Sequence, residues 1–403
     1  MLAERQVPLS NPPARSVRPK ILHVITRLNI GGPALQTLML TRDLPAMEYR
    51  TMLVAGQCEA GDGDMRYLLR SGDPVAWMPD LSRSVRPYRN LKALWKLWRL
   101  LRRERPAIVH THTAMAGCLG RLAALSSGAP IIVHTYHGNS LAEYFSRIQT
   151  ATFRRIEQLL ARFTDVLCVV SPQQAAELSG QFHIAPPHKF RIIPLGLDLE
   201  DYLALRPPAL TGPFTIGWFG RMVPVKNVPL LAATIEATLA ERPETQFLIA
   251  GDGPQRPVLD AVLARHSARV EYLGWQREML PLIARCHALL QTSRNEGTPL
   301  ALIEGMAAAR PFVSTAVGGL VDMVSAGATP LTAGAHWHTN AVLTGADAAS
   351  LSSALIALGD DRALASSMGS AARAFAVANY RKEMLLQNMD ALYRELLEIR
   401  RKS

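Results

Sequence analysis

The feature that most constrains the fold is an alternation, along almost the whole chain, of short apolar runs rich in β-branched residues with helical segments. Because consecutive parallel strands need a long crossover, usually a helix, this alternation predicts parallel sheets with helices on both faces. The first series of predicted strands covers residues 21–26, 51–55, 75–78, 107–111, 131–135, 166–170 and 191–194. The second series covers residues 214–219, 246–250, 270–273, 288–291, 312–314 and 341–343. The chain is therefore predicted to be an α/β protein with two doubly wound domains and a cleft between them.

The length of 403 residues also favours two domains, because single hydrophobic cores stop growing at about 250 to 300 residues. A turn-rich stretch with Pro207, Pro208 and Gly212 separates the two series. We predict an N-terminal domain at residues 19–195, a linker at 196–212, a C-terminal domain at 213–378 and a helix at 379–403 that crosses back to the N-terminal domain. Residues 1–18 are rich in proline, lack the apolar core of a signal peptide, and are predicted to be a disordered tail.

Charge and cysteine content narrow the partners and the compartment. The formal net charge of +11 indicates an anionic partner, and composition alone leaves a nucleotide diphosphate, a membrane surface and a nucleic acid open. The four cysteines form no CxxC pair, and no stretch approaches the roughly 20 apolar residues that span a bilayer, so we expect a cytoplasmic protein with reduced thiols. His110 and His112 share one strand face, but no acidic or cysteine partner follows at ligand spacing, so no metal site is predicted.

Two loops that follow predicted strands of the N-terminal domain are candidate ligand-binding loops, because open α/β sheets bind ligands beyond the carboxyl ends of their strands. Gly31 and Gly32 precede a predicted helix, where paired glycines let the backbone approach a phosphate; a tight strand-to-helix turn is the alternative. His137 follows the strand at 131–135 and can place a neutral imidazole in the cleft as donor, acceptor or proton shuttle. A structural histidine is the alternative there.

The C-terminal domain carries charged residues in the corresponding loops. Arg221 and Lys226 follow the strand at 214–219 and can neutralise a diphosphate, with solvated surface charge as the alternative. Glu296 and Glu304 follow the strand at 288–291, around the start of a predicted helix that offers free backbone N–H groups to the cleft. One carboxylate can hold sugar hydroxyls and the other a ribose; helix capping is the alternative.

Together these segments resemble the retaining glycosyltransferases of family 4, enzymes of the GT-B fold, which has two Rossmann-like domains and an interdomain cleft. The resemblance extends from about residue 20 to about residue 379 and is strongest after Arg191. It is carried by six segments in the family's order, namely 192–198, 220–227, 250–254, 272–275, 296–304 and 314–319. The region after Gly319 departs from the family pattern, and 327–347, which contains His336, Trp337 and His338, is longer than expected; we interpret it as a surface insertion rather than a ligand contact.

The resemblance implies a role for each matching residue. Arg221 and Lys226 would bind the donor diphosphate, Glu304 the ribose, and Gly32 would lie near the phosphates. His137 and Glu296 would be the catalytic residues, with the donor sugar held by Glu296 and the backbone of Gly297, Thr298, Pro299 and Leu300. Family members transfer sugar with retention and need no bound metal or other cofactor, because the nucleotide sugar is a co-substrate.

The predicted function is transfer of a hexose or N-acetylhexosamine from a nucleotide sugar, with UDP as the favoured nucleotide, to a saccharide or lipid-linked saccharide in cell-surface polysaccharide biosynthesis. Two alternatives remain open from the sequence: a nucleotide-sugar epimerase or hydrolase on the same fold, and a non-catalytic nucleotide-sugar-binding subunit. Nucleic-acid binding is not expected, because no aromatic-basic motif is found beyond one helix.

That helix lies in residues 83–105, which hold nine arginines and lysines against one acid, Glu104. Its helical spacing predicts that an apolar face packs on the N-terminal sheet, formed by Leu91, Leu94, Trp95, Trp98 and Leu101. The outward face would then carry Lys92, Lys96, Arg99 and Arg103. A solvated surface is one interpretation; the other is a docking surface for anionic lipids that brings the enzyme to a polyprenyl-linked acceptor at the inner face of the cytoplasmic membrane.

Overall fold

The structure is a computed structural model that describes residues 18–58, 63–84, 86–138, 147–327, 329–332 and 335–402. Apart from Arg18, the predicted disordered tail at residues 1–18 lies outside the described residues. Two parallel-dominated sheets with alternating helices confirm the predicted α/β class. No helix within the described ranges is long and apolar enough to cross a membrane.

The first sheet has seven strands, all parallel. They are β1 (Lys20–Ile25), β2 (Arg50–Ala55), β3 (Val75–Trp77), β4 (Ile108–His112), β5 (Ile132–Tyr136), β6 (Val166–Val169) and β7 (Phe190–Ile192). Their order in the sheet is β3-β2-β1-β4-β5-β6-β7. Every residue of β4, β5 and β6 is buried, as expected of central strands covered on both faces. The order reverses between β1 and β4, so the crevice beyond their carboxyl ends is the expected ligand site.

The second sheet has eight strands. They are β8 (Thr215–Phe219), β9 (Gln246–Ala250), β10 (Val270–Tyr272), β11 (Ala288–Gln291), β12 (Phe312–Thr315), β13 (Thr329–Thr332), β14 (Ala335–Trp337) and β15 (Ala341–Thr344). Their order is β10-β9-β8-β11-β12-β15-β14-β13; β15 pairs in parallel with β12, whereas the β15–β14 and β14–β13 pairings are antiparallel. Both sheets therefore share one parallel architecture, and the second carries an antiparallel extension at one edge.

That extension corrects the interpretation of residues 327–347 as a surface insertion. Ala335 and Trp337 are buried in the second core, whereas His336 between them is exposed, which is the period of two expected of a strand. His338 Nδ1 lies 2.8 Å from the carbonyl oxygen of Ser325, a contact that ties the hairpin to the preceding loop. The segment therefore extends the sheet, and its indole fills the core.

Helices cover both sheets. The α-helices within the described ranges are α1 (Gly32–Asp43), α2 (Pro87–Glu104), α3 (Ala114–Ser127), α4 (Arg147–Arg162), α5 (Pro172–Ala176), α6 (Glu200–Leu203), α7 (Val228–Glu241), α8 (Asp260–Arg265), α9 (Leu280–Arg285), α10 (Leu300–Ala307), α11 (Ala348–Asp360), α12 (Arg362–Asn379) and α13 (Lys382–Lys402). The last helix packs on the first sheet, where Leu385, Met389 and Tyr393 are buried with residues of β1 and β5. The segment between α12 and α13, where the polypeptide returns to the first domain, is held by two backbone hydrogen bonds. Leu197 N donates to Tyr380 O (2.8 Å), and Lys382 N donates to Leu197 O (2.9 Å).

The basic helix α2 is rotated relative to the prediction. Leu91 and Trp95, predicted to face the sheet, are 66% and 51% exposed. The buried stripe consists instead of Ala93, Leu97 and Leu101, flanked by the partly buried Leu94 and Trp98. These buried residues recur every four positions, and the small side chain of Ala93 lets α2 pack closely on its neighbours. The prediction was correct for Leu94, Trp98 and Leu101 and wrong for Leu91 and Trp95, because the apolar pattern alone did not distinguish the two stripes.

Candidate active site

A cavity of about 610 Å³ opens between the carboxyl ends of the two sheets. Its walls are the loops after β1 and β5 on one side and the loops after β8, β9 and β11 on the other. The volume lies in the range of small-molecule sites. All ten predicted site residues line it, namely Gly32, His137, Arg221, Lys226, Glu296, Gly297, Thr298, Pro299, Leu300 and Glu304.

Glu296 is held in one orientation by three donors on the same oxygen. Its Oε1 lies 2.5 Å from Lys226 Nζ, 2.6 Å from Gln291 Nε2 and 2.5 Å from Ser293 Oγ. The other carboxylate oxygen accepts none of these bonds and remains available to a ligand. Because α10 begins only at Leu300, Glu296 lies in the loop before the helix. Glu296 and Glu304 are therefore not two turns apart on one helix.

Glu304 lies on α10, and its side chain faces the cavity. Burial raises the pKa of Glu304 to about 7, although a hydrogen bond with Tyr202 lowers it in part. Burial and the neighbouring Glu304 carboxyl also raise the pKa of Tyr202. The sequence did not predict this partner, because Tyr202 lies on the short helix α6 within the predicted linker and belongs to no motif. Near neutral pH, Glu304 can therefore exist in both protonation states.

Close backbone contacts bring the loops together at two glycines. Gly251 has a φ of +127°, and a Cβ there would lie 1.9 Å from Gly220 O, so only glycine lets the loop after β9 contact the loop that carries Arg221. A Cβ on Gly297 would lie 2.7 Å from the carbonyl oxygen of His137. The loop of Glu296 therefore contacts the His137 loop directly, across the cleft.

His137 joins this wall to the first sheet. Its Nε2 lies 3.1 Å from Nδ1 of His112, and burial lowers the pKa of His137 to about 3. His137 is therefore a neutral imidazole at physiological pH. Behind it, His112 lies next to His23 and His110, with one ring nitrogen from each of these three within 4.8 Å of the others. The sequence had paired only His110 with His112; His23 joins them because β1 pairs with β4 with His23 opposite His110.

Other cavity residues were not predicted from the sequence. Trp275, Gln276 and Arg277 follow β10, and the guanidinium of Arg277 lies 5.3 Å from the ring centroid of Tyr67 on the opposite wall. On the N-terminal side, Glu157 accepts hydrogen bonds from Arg121 Nη2 on both oxygens (2.7 Å each) and from Tyr136 Oη (2.6 Å). Of these residues, only Trp275 lay in a segment that carries the family resemblance, residues 272–275.

Sequence comparison places the chain among sugar-transferring enzymes. Residues 30–201 match Glycosyltransferase Family 4, and residues 213–361 match Glycosyl transferases group 1. The UDP-Gal:alpha-D-GlcNAc-diphosphoundecaprenol alpha-1,3-galactosyltransferase of Escherichia coli is 26% identical over 322 residues, which are 74% of this chain and 80% of that protein. The GDP-mannose-dependent monoacylated alpha-(1-6)-phosphatidylinositol monomannoside mannosyltransferase of Corynebacterium glutamicum is 25% identical and aligns with 65% of this chain and 69% of its own length.

Solved structures show the same fold. Anabaena Alr3699/HepE in complex with UDP is similar with a TM-score of 0.74 and 20% identity, over 93% of this chain and all of that chain. The sucrose-phosphate synthase of Thermosynechococcus elongatus is similar with a TM-score of 0.76 and 21% identity, over 94% of this chain and all of that chain. These similarities confirm the predicted GT-B architecture with its two domains.

Proposed function

The chain belongs to family 4 of the glycosyltransferases, and from that premise we propose that it is a retaining enzyme acting in cell-surface polysaccharide biosynthesis. It moves a hexose or N-acetylhexosamine from a UDP-sugar to a saccharide or lipid-linked saccharide. One observation carries this proposal: a single cavity holds a cationic pair, one carboxylate in the loop before α10, a second carboxylate on α10, and a neutral imidazole on the facing wall. A uridine nucleotide is favoured because the name of one similar protein includes UDP-Gal as donor and the structure of another contains bound UDP.

The donor half of the cavity suits a nucleotide diphosphate. Arg221 can contact the diphosphate as a two-pronged donor and Lys226 as a point charge. Glu304 can accept hydrogen bonds from both ribose hydroxyls, and the second oxygen of Glu296 can accept from the sugar. Backbone N–H groups before α10 add donors at the positive end of the helix dipole. We expect no metal requirement, because these cations and dipoles can carry the phosphate charge.

Transfer with retention needs the acceptor on the same face of the sugar as the leaving diphosphate. The acceptor oxygen bonds to the anomeric carbon, the bond from that carbon to the β-phosphate oxygen breaks, and the acceptor proton passes to a phosphate oxygen. Arg221 and Lys226 stabilise the charge that develops on the leaving group. His137, whose carbonyl lies against Gly297, is placed to contact the sugar at the reacting centre.

A membrane-held acceptor is supported by the exposed face of α2, which lies on the N-terminal domain. Tyr88, Leu91 and Trp95 recur at spacings of three and four, so they form one exposed apolar stripe. The guanidinium of Arg99 lies 4.8 Å from the Trp95 ring centroid. Aromatic and cationic side chains on one helix face suit the interface of an anionic bilayer. We therefore propose that the enzyme works in the cytoplasm at the inner face of the membrane, on a polyprenyl-linked saccharide.

The direct test is to incubate the purified protein with UDP-, GDP- and ADP-sugars and to measure both binding and slow release of the nucleotide. We expect saturable binding of a UDP-sugar and release that accelerates when a lipid-linked saccharide is added in detergent. A product with the opposite anomeric configuration to that of the donor would contradict retention, and failure of every nucleotide sugar to bind would contradict the proposal as a whole. Glu304→Ala should weaken donor binding, whereas His137→Ala should chiefly lower kcat.

A further inference from the structure

Three histidines form a hydrogen-bonded chain from the core of the first sheet to the cavity. His137 Nε2 lies 3.1 Å from His112 Nδ1, and His112 Nε2 lies 3.2 Å from His23 Nδ1. Parallel pairing of β1 with β4 and of β4 with β5 produces this arrangement. It places His23 opposite His110, with His112 two residues further along β4 and opposite Thr135, near the end of β5. The chain therefore connects a buried histidine two strands away with the imidazole that lines the cavity.

All three rings are neutral at physiological pH. Burial lowers the pKa of His23 and His137 to about 3, and lowers that of His112 well below its usual value. A neutral imidazole carries one N–H and one bare nitrogen. Each ring in the chain must therefore donate in one direction and accept from the other, so the proton position of one ring fixes that of the next.

The His23 end of this row of hydrogen-bonded histidines determines the direction in which the protons are donated. His23 Nε2 is buried and has no hydrogen-bond partner among the residues that the structure describes. Burying an unpartnered N–H is costly and rare, and unpaired acceptors are somewhat more common. The proton of His23 therefore belongs on Nδ1, where it is donated to His112 Nε2. His112 then donates from Nδ1 to His137 Nε2, which leaves the proton of His137 on its Nδ1.

A cation bound by His23, His110 and His112 is the competing interpretation of this cluster. Both ring nitrogens of His110 already have partners: Nδ1 lies 2.6 Å from Tyr393 Oη, and Nε2 lies 2.6 Å from Thr135 Oγ1. Both nitrogens of His112 are also engaged. A cation would have to break a hydrogen bond at two of its three ligands, so the cluster is better explained as a hydrogen-bonded network.

We propose that His112 and His23 are positioning residues that hold His137 in the Nδ1–H tautomer, so that it offers the cavity a hydrogen-bond donor and not a base. The nature of the ligand that accepts this bond, a sugar hydroxyl oxygen, rests on the proposed function. The tautomer itself does not. From the sequence, His137 could act as hydrogen-bond donor, acceptor or proton shuttle. The hydrogen bonds from His23 and His112 favour the role of donor.

The tautomer is tested on the ligand-free protein labelled with ¹⁵N-histidine, by long-range ¹H–¹⁵N correlation NMR, with ring signals assigned through single histidine substitutions. For His137, we expect a protonated Nδ1 and a bare Nε2 at neutral pH. A protonated Nε2 would overturn the proposed direction of the chain. Because no substrate is present, this result is independent of whether the protein transfers sugar.

The coupling is tested with paired substitutions of His112. Asn places an amide nitrogen at the position of the imidazole Nδ1 and can still donate to His137, whereas Leu cannot. We expect His112→Leu to give a mixed His137 tautomer and about a tenfold lower kcat with little change in donor KM, as for one lost hydrogen bond. His112→Asn should keep the Nδ1–H signal and restore most of kcat.

His110→Gln is the matched control, since it removes a buried histidine from the same strand face but not from the chain. It should leave the His137 tautomer unchanged, with any loss of stability followed by circular dichroism. Equal His137 spectra in wild type and His112→Leu would overturn the coupling. If the Leu variant does not fold, the wild-type spectrum and His112→Asn still decide, because a shifted tautomer in the Asn variant contradicts the proposal.

Discussion

The two sheets place their polar groups in different ways. In the first sheet, buried histidines lie within the central strands themselves: His23 on β1, His110 and His112 on β4, and His134 on β5. In the second sheet, the charged residues of the cavity lie beyond the strands, with Lys226 and Glu296 in loops and Glu304 on α10. We therefore expect that residues of the donor half can be replaced with little effect on the stability of the core beneath them. In the N-terminal half, the residues next to the cavity are themselves part of the core.

The largest expected effect is acid sensitivity concentrated in the first sheet. Burial lowers the pKa of His23, His110, His112, His134 and His137 in the first domain, and that of His287 in the second. The unfolded chain takes up these protons below about pH 6.5 and the folded chain does not, so stability is complete above that pH and is lost as pH falls towards about 3. Each site contributes about 1.4 kcal/mol per pH unit in that window.

Hydrogen exchange measured by mass spectrometry at about pH 7 and about pH 5.5 can resolve the two sheets. Peptides from β1, β4 and β5 should lose protection by several kcal/mol, while those from β8, β11 and β12 change much less. An equal loss of exchange protection in both sheets would contradict the expected difference in acid sensitivity between them. A His23→Gln variant should show a shallower pH dependence than wild type.

The next largest effect concerns the separable donor half. Replacing Lys226 with Met removes the charge-assisted contact to the donor diphosphate, and we expect kcat/KM to fall by about a hundredfold or more. The free energy of unfolding should change by about 1 kcal/mol or less, because Gln291 and Ser293 still hold Glu296. Steady-state kinetics and denaturant unfolding measure the two quantities.

Arg242→Met, which removes an exposed ion pair with Asp360 in the same domain, is the control. A large loss of stability in Lys226→Met would show that the donor half is not separable.

A smaller effect is a pH dependence of donor binding caused by Glu304. Its pKa is raised to about 7, and ribose hydroxyls donate best to the ionised form. Binding should therefore weaken as pH falls, by about tenfold between pH 8 and pH 6. Titration calorimetry of UDP binding measures this. Glu304→Gln should bind more weakly at pH 8 but show a nearly flat profile, whereas Glu236→Gln, at a surface ion pair, should keep the wild-type slope. An unchanged slope in Glu304→Gln would assign the titration to another group.

The same contrast explains what the sequence could predict. Strand positions followed from apolar periodicity, and the donor residues followed from contiguous segments, because Lys226, Glu296 and Glu304 lie in short loops next to strands that fix them. The Glu304–Tyr202 contact and the chain from His23 to His137 join residues about 100 positions apart, which no local pattern encodes. The rotation of α2 and the burial of Trp337 depended on tertiary packing, which periodicity alone does not determine.

The smallest expected effect extends the contrast to the surface, where the N-terminal domain presents the exposed stripe of α2. Lys92 and Lys96 are partly neutralised by Asp80, at 3.7 and 2.5 Å, so part of the basic charge of α2 is compensated within the protein. The apolar side chains should therefore matter as much as charge. We expect the double substitution Leu91→Ser and Trp95→Ser to reduce sedimentation with vesicles of phosphatidylglycerol severalfold, because both side chains are exposed without supporting the core.

Leu159→Ser, the control, removes a similarly exposed leucine from α4 and should leave vesicle binding unchanged. If wild type binds neutral and anionic vesicles alike, charge has no part in docking; if it binds neither, α2 is a solvated face and the acceptor reaches the cavity without a membrane contact at this helix.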